Sequence, residues 1–203
     1  MAQHDFIWLA SQSPRRAQLL RQIGVEHFLL LAAEHEDAEA LEHEREGELP
    51  ADYVQRVTLA KLDAARERHA RQALPAAPIL AADTTVALGR RILGKPRDAA
   101  DAVATLQALS GCTHRVLTAV ALFDGEQTRA DLSVSHVRFA AMPADVIERY
   151  VAGGEPFGKA GAYAVQSGIA GWIEHLEGSY SGIMGLPLFE TTRLLSQAGV
   201  RLA

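Results

Sequence analysis

The dipeptide Asp124-Gly125 constrains this chain's fold more than any other feature, because it stands between two long strand-like runs. The flanking segments "HRVLTAVALF" and "QTRADLSVSHVRFAAM" are rich in apolar and β-branched residues, and Asp-Gly at such a junction reads as a hairpin turn. A hairpin joins antiparallel neighbours, so a purely parallel sheet is excluded. Further strand-like runs are "FIWLA", "HFLLLAA", "PILAADTTVAL" and a short return in "GRRILGKP". Helical patterns separate them. One starts at Pro14 and runs to about Ile23, one follows Pro50 through "ADYVQRVTLAKLDAARERHARQA", and one is "RDAADAVATLQAL" with Asp98 as its cap. Two more are "ADVIERYVAGG" and a last helix from Pro187 to about Gln197. The expected fold is α/β: a twisted, mixed β-sheet flanked by helices. At 203 residues the chain suits a single domain over 1–203, with room for two lobes around a central cleft.

Composition limits the function. Twenty Lys and Arg against 25 Asp and Glu leave a net charge of −5, so an anion site has to be a local gathering of basic residues. Strong nonspecific binding to nucleic acid is not expected of such a chain. The start "MAQHDFIWLASQS" lacks a basic, apolar leader, and no run reaches the ~20 apolar residues of a membrane span, which makes the cytoplasm the default location. Cys112 is the only cysteine, so no internal disulfide forms. The run "EHEDAEALEHEREGELP" is acidic and reads as a solvated loop or frayed helix.

The chemistry begins at "LASQSPRRAQLL", where Ser13 reads as an N-cap and Pro14 as the first helical residue. Arg15 and Arg16 then fall in the first turn, where the macrodipole is already positive. A bound phosphate there removes the penalty, and Ser11 and Ser13 add hydroxyl donors. The structural alternative is two exposed arginines tolerated at a few tenths of a kcal/mol. Asp83 lies within the apolar "ILAADTTVAL", where a carboxylate needs a partner, which makes it a candidate base or metal ligand. Lys61 shares the small, apolar helix face of Val57 and Ala65, so it either meets an anion or snorkels. Lys95 sits in the turn "GKP", within reach of phosphate or merely solvated. "GKAGAYAVQSG" carries three glycines and Gln166, whose amide can match the edge of a nucleobase. His35 and His43 have no sharp ligand spacing, and His114, His136 and His175 read as structural.

In order and spacing, "LASQSPRR", "AADTTVALGRRILGKP", "ALSGCTHRVLTAVAL", "GKAGAYAVQ" and "GSYSGIMGLPLFET" resemble the Maf family of nucleoside triphosphate pyrophosphatases, from about Trp8 to Leu195. "SPRR", "ADT" and "AYAVQ" are similar to the branch acting on dTTP and UTP rather than on 7-methyl-GTP. The resemblance implies a fold like that of inosine triphosphate pyrophosphatase and hydrolysis of an acid anhydride to monophosphate and pyrophosphate. It implies Asp83 as the catalytic proton acceptor, and Ser11, Arg15, Arg16, Lys61 and Lys95 as phosphate-facing residues. Arg15, Thr84 and Gln166 match positions tied to choice of base. A family acidic position after the second strand falls on Glu36 or Asp37, which with Asp83 are the expected ligands of a divalent metal, magnesium first and manganese or cobalt as alternatives. The acidic insertion up to Leu49 departs from the family's more compact form. A homodimer is a further implication. Two rival readings stay open: a non-catalytic regulator of cell division, and a purine-directed pyrophosphatase.

Overall fold

The computed structural model describes residues 3–32 and 40–202. In chain order the elements are β1 (Ile7–Leu9), α1 (Pro14–Gln22), β2 (His27–Leu29), α2 (Pro50–Arg71), β3 (Ile79–Leu88), β4 (Arg91–Leu93) and α3 (Ala99–Leu109). They continue with β5 (Thr113–Phe123), β6 (Thr128–Phe139), α4 (Ala144–Ala152), β7 (Ile173–Glu177), α5 (Tyr180–Met184) and α6 (Leu188–Gln197). All seven strands form one mixed sheet in the order β2-β1-β3-β5-β6-β7, with β4 paired to β3. β2, β1 and β3 run parallel, while β3, β5, β6 and β7 alternate in direction. None of the helices among the described residues is long and apolar enough to cross a membrane.

The hairpin forms where Asp124-Gly125 places it, but the connection is four residues long, since Phe123 pairs with Thr128. The Asp124 carboxylate accepts from the backbone N–H groups of Glu126 and Gln127 at 2.9 and 2.8 Å, which closes the turn. Gly125 takes a left-handed φ of +102°, the conformation that favours glycine. Asp98 caps α3 as the sequence suggests, accepting from Asp101 N–H at 2.8 Å. Ser13 differs. Its side chain makes no capping bond; its own N–H instead donates to Ser11 Oγ at 3.2 Å. The last helix begins at Leu188, with Pro187 just outside it.

β3 is apolar except for Asp83, Thr84 and Thr85 and is buried along most of its length, because both its faces are covered. On one face α1 and α6 bury Ile7, Leu9, Leu80, Ala82, Val120 and Leu122. On the other, α2 lays Tyr53, Val54, Val57, Leu62 and Ala65 over the strands, against Ile79, Ala81, Ala87, Leu117 and Ala121. α3 and α4 close a third cluster around Leu106, Val137 and Phe139. Each of the large aliphatic side chains contributes about 1.5–3 kcal/mol by leaving water.

One irregularity positions the site. β1 follows β3 only through Trp8↔Ile79 and Leu9↔Leu80, and β4 joins the same edge only from Val86 onward. Between them, residues 81–85 have β5 on one side and, among the described residues, no strand on the other. Asp83 and Thr84 sit on this open edge and project to opposite faces of the sheet.

Candidate active site

A cavity of about 890 Å³ wraps that open edge and is bounded by the start of α1, the C-terminal half of α2, the Lys95 turn, the 158–165 loop and the end of α5. Ser11, Arg15, Arg16, Lys61, Asp83, Thr84 and Lys95 all line it. Their elements come from distant parts of the sequence and converge because β1, β3 and α2 terminate or pass at this seam.

On the α2 face, Asp83 is 8% exposed and its Oδ1 accepts from Lys61 Nζ at 2.6 Å. That explains how a carboxylate survives in an apolar strand. Lys61 Nζ also donates to Glu42 Oε1 at 2.6 Å, and Lys95 Nζ donates to Glu42 Oε2 at 2.7 Å. Two carboxylates and two ammonium groups thus form one connected cluster. Burial pushes the Glu42 carboxyl up, but Lys61 and then Lys95 outweigh it and hold it below the ordinary carboxylate range.

Glu42 is a functional candidate that the sequence did not mark. It sits on a single 3-10 turn, Ala40–Glu42, inside the acidic run. The described part of that run is, as expected, a largely exposed loop after the 3-10 turn, but α2 ties it down. Arg56 of α2 grips both carboxylate oxygens of Glu48 at 2.6 and 2.7 Å and reaches the carbonyls of Leu41 and His43. Tyr53 Oη donates to the Glu42 carbonyl at 2.8 Å, so α2 sets the position of the acid that closes on its own Lys61. The other acidic candidates, Glu36 and Asp37, lie outside the described residues, as does His35. His43 binds the Ala40 carbonyl through Nδ1.

On the α1 face, Arg16 spends its guanidinium within the protein. Nε donates to the Gly185 carbonyl at 2.7 Å, Nη1 to Ser11 Oγ at 3.0 Å and Nη2 to Thr84 Oγ1 at 3.4 Å. Burial pulls the Arg16 guanidinium below its ordinary range, against the opposing charge of Asp83. Arg15 makes one longer bond, Nε to the Met184 carbonyl at 3.3 Å. Arg16 therefore ties three elements together, and Arg15 is the freer of the two to meet a ligand.

Beyond Thr84 the cavity turns apolar, with Val86, Val116, Tyr163, Val165 and Ile183 as walls. Gly161 permits this arm: it has a φ of +70°, and a Cβ there would stand 2.8 Å from both Val86 γ-carbons. Lys159, the lysine of "GKAGAYAVQSG", also lines the cavity. Gln166 departs from expectation. It is exposed and is not among the lining residues, because the chain passes its neighbours Tyr163 and Val165 inward and turns Gln166 out. His114 is structural, as expected: it is 1% exposed and its Nε2 is 2.7 Å from Tyr163 Oη.

As a whole the cavity joins a polycation-rich end to an apolar slot, with a buried carboxylate at the junction. That division suits a planar apolar group linked to a polyanion. A family model described as Maf-like protein matches residues 6–198. A dTTP/UTP pyrophosphatase from Cupriavidus pinatubonensis is 61% identical over 198 residues, 98% of this chain and 99% of that protein. A dTTP/UTP pyrophosphatase from a Polaromonas species is 61% identical over 198 residues, 98% of each. One from Ralstonia nicotianae is 60% identical over 203 residues, 99% of this chain and 98% of that protein.

Proposed function

Since this chain belongs to the Maf family, we propose that it hydrolyses dTTP and UTP to the nucleoside monophosphate and pyrophosphate. The observation that carries the reading is Asp83: a nearly buried carboxylate on an open strand edge, between a cationic cluster and an apolar slot. In this reading the base occupies the slot and the phosphates meet Arg15, Lys61 and Lys95. Phosphate oxygens then replace Glu42 as the partners of the two ammonium groups.

The chemical step is attack of water on the α-phosphorus. Asp83 takes the water's proton as the new P–O bond forms, and the bond to the bridging oxygen of pyrophosphate breaks with its electron pair leaving on that oxygen. Lys61, Lys95 and Arg15 neutralise the charge that the leaving group gathers. A divalent cation fits the donors: Asp83 and Glu42 already converge on one ammonium, and magnesium is commonly held by one or two carboxylates plus substrate phosphate. Bound there, it adds charge neutralisation on the phosphate oxygens. Manganese and cobalt are the alternatives. The working form in this reading is a cytoplasmic homodimer, tested by sedimentation of the purified protein.

The deciding experiment measures pyrophosphate released from UTP, dTTP, CTP and GTP, with and without magnesium, by the wild type and Asp83→Asn. The expected result is release from UTP and dTTP and a loss of roughly 10²–10⁴-fold in the folded variant. No release from any nucleotide supports a binding protein instead, and preference for purines supports the purine-directed enzyme.

A further inference from the structure

Thr84 and Thr118 face one another across β3 and β5, on the side of the sheet that carries Val86 and its partner Val116 into the apolar slot. Thr118 is 1% exposed and has two oxygen neighbours, the Gly182 carbonyl at 2.7 Å and Thr84 Oγ1 at 3.0 Å. A threonine hydroxyl owns one proton and two acceptor lone pairs, whereas a carbonyl only accepts. The Thr118 proton therefore goes to Gly182. The contact between the two hydroxyls is then a hydrogen bond only when Thr84 is the donor. That commits the Thr84 proton to Thr118, and Arg16 Nη2 at 3.4 Å is a further donor aimed at the same Thr84 oxygen. What Thr84 presents to the cavity is a lone pair.

We propose that Thr118 is a specificity-determining positioning residue: by drawing the proton of Thr84 away from the cavity, it makes Thr84 an acceptor that selects pyrimidines protonated at N3. Uracil and thymine carry a donor there. Cytosine carries an acceptor at the same atom, so two lone pairs face each other and neither can bond. A ring laid against Val86 and Val116, the next residues on the same face, turns its polar edge toward Thr84. The inference rests on the pyrophosphatase reading above and adds to it the atom by which the base is read and the residue behind that choice.

The test compares kcat/KM for UTP and CTP in the wild type, Thr118→Val and Thr118→Ser. Valine keeps the shape and removes the acceptor, which frees the Thr84 proton to rotate into the cavity. The UTP-to-CTP ratio is expected to fall about tenfold in Thr118→Val, the scale of one hydrogen bond, and to return in Thr118→Ser. Equal losses on both nucleotides, an unchanged ratio, or failure of serine to restore it overturns the proposal. A second measurement needs no variant: the wild type should hydrolyse N3-methyluridine triphosphate at least tenfold less efficiently than UTP, and comparable rates overturn the proposal as well. If the wild type releases no pyrophosphate from UTP, the functional reading itself fails and the inference goes with it. Release from UTP with no preference over CTP rejects the inference alone.

Discussion

Arg15 and Arg16 are adjacent in sequence, yet their surroundings assign them different work. Arg16 bonds Gly185, Ser11 and Thr84 at once, a fork that a lysine ammonium cannot reproduce. Arg16→Lys should cost about 2 kcal/mol in urea unfolding by leaving inward-facing acceptors unpaired. Arg15→Lys should change stability by under about 0.5 kcal/mol while raising KM for the nucleotide, because its single 3.3 Å bond is weak. His114 supplies a second residue-level expectation. Burial pushes its imidazole down to about 4 from 6.5, so between those values the unfolded chain binds a proton that the folded chain refuses. Stability therefore falls as pH drops below about 6.5 and levels off below about 4. From pH 7 to about 4.5 the wild type should lose about 2 kcal/mol more than His114→Gln, a difference that urea titrations at the two pH values would show. At this scale the sequence was informative for Asp83, Lys61 and Lys95, because charge in a turn or among apolar neighbours is conspicuous. Glu42 was hidden among other acids; its ion pairs with Lys61 and Lys95, and the grip of Tyr53 and Arg56 on its segment, single it out. Gln166 is exposed and lies outside the cavity lining in this structure. A glycine-rich loop does not reveal which of its side chains turn inward.

Elements place these residues, and their ends matter more than their middles. The loop at 158–165 meets β3 so closely at Gly161 that a Cβ there would overlap Val86. Gly161→Ala should destabilise by about 2 kcal/mol or more, from the left-handed φ and the overlap together, and should raise KM by driving Val86 into the slot. Thermal unfolding and UTP kinetics on the same preparation check both effects. The long strands, α2 and the capped α3 were legible because periodicity and punctuation agreed over many residues. β7 was not, since "IEHLE" is short, polar and half exposed, and only its pairing with β6 makes it a strand. The place of the hairpin was legible from Asp124-Gly125 but its four-residue length was not: Asp124 closes the turn with its side chain, a contact the dipeptide alone does not announce.

Across the whole molecule, the mixed sheet divides by the distance along the chain at which its pairings are made. β5 and β6 are neighbours across a hairpin and share eleven register pairs, whereas β1 finds β3 about seventy residues away and holds it through two. Local pairings form early and distant ones late. The meander of β3, β5 and β6 is thus the natural nucleus, and the unit of β1, α1 and β2 docks onto it afterwards. The open edge between Leu80 and Val86 is where those two parts meet. In terms of folding order, the catalytic machinery is divided between the first piece to form and the last. Partial opening of the late unit should remove Ser11, Arg15 and Arg16 from Asp83 while the rest of the sheet stays intact. Hydrogen exchange should accordingly show amides of residues 7–30 opening at lower free energy than those of β5, and a bound uridine nucleotide should narrow the gap by bridging the seam. Activity in urea is then lost before the sheet melts, and equal protection of both units would show that the molecule opens only as a whole.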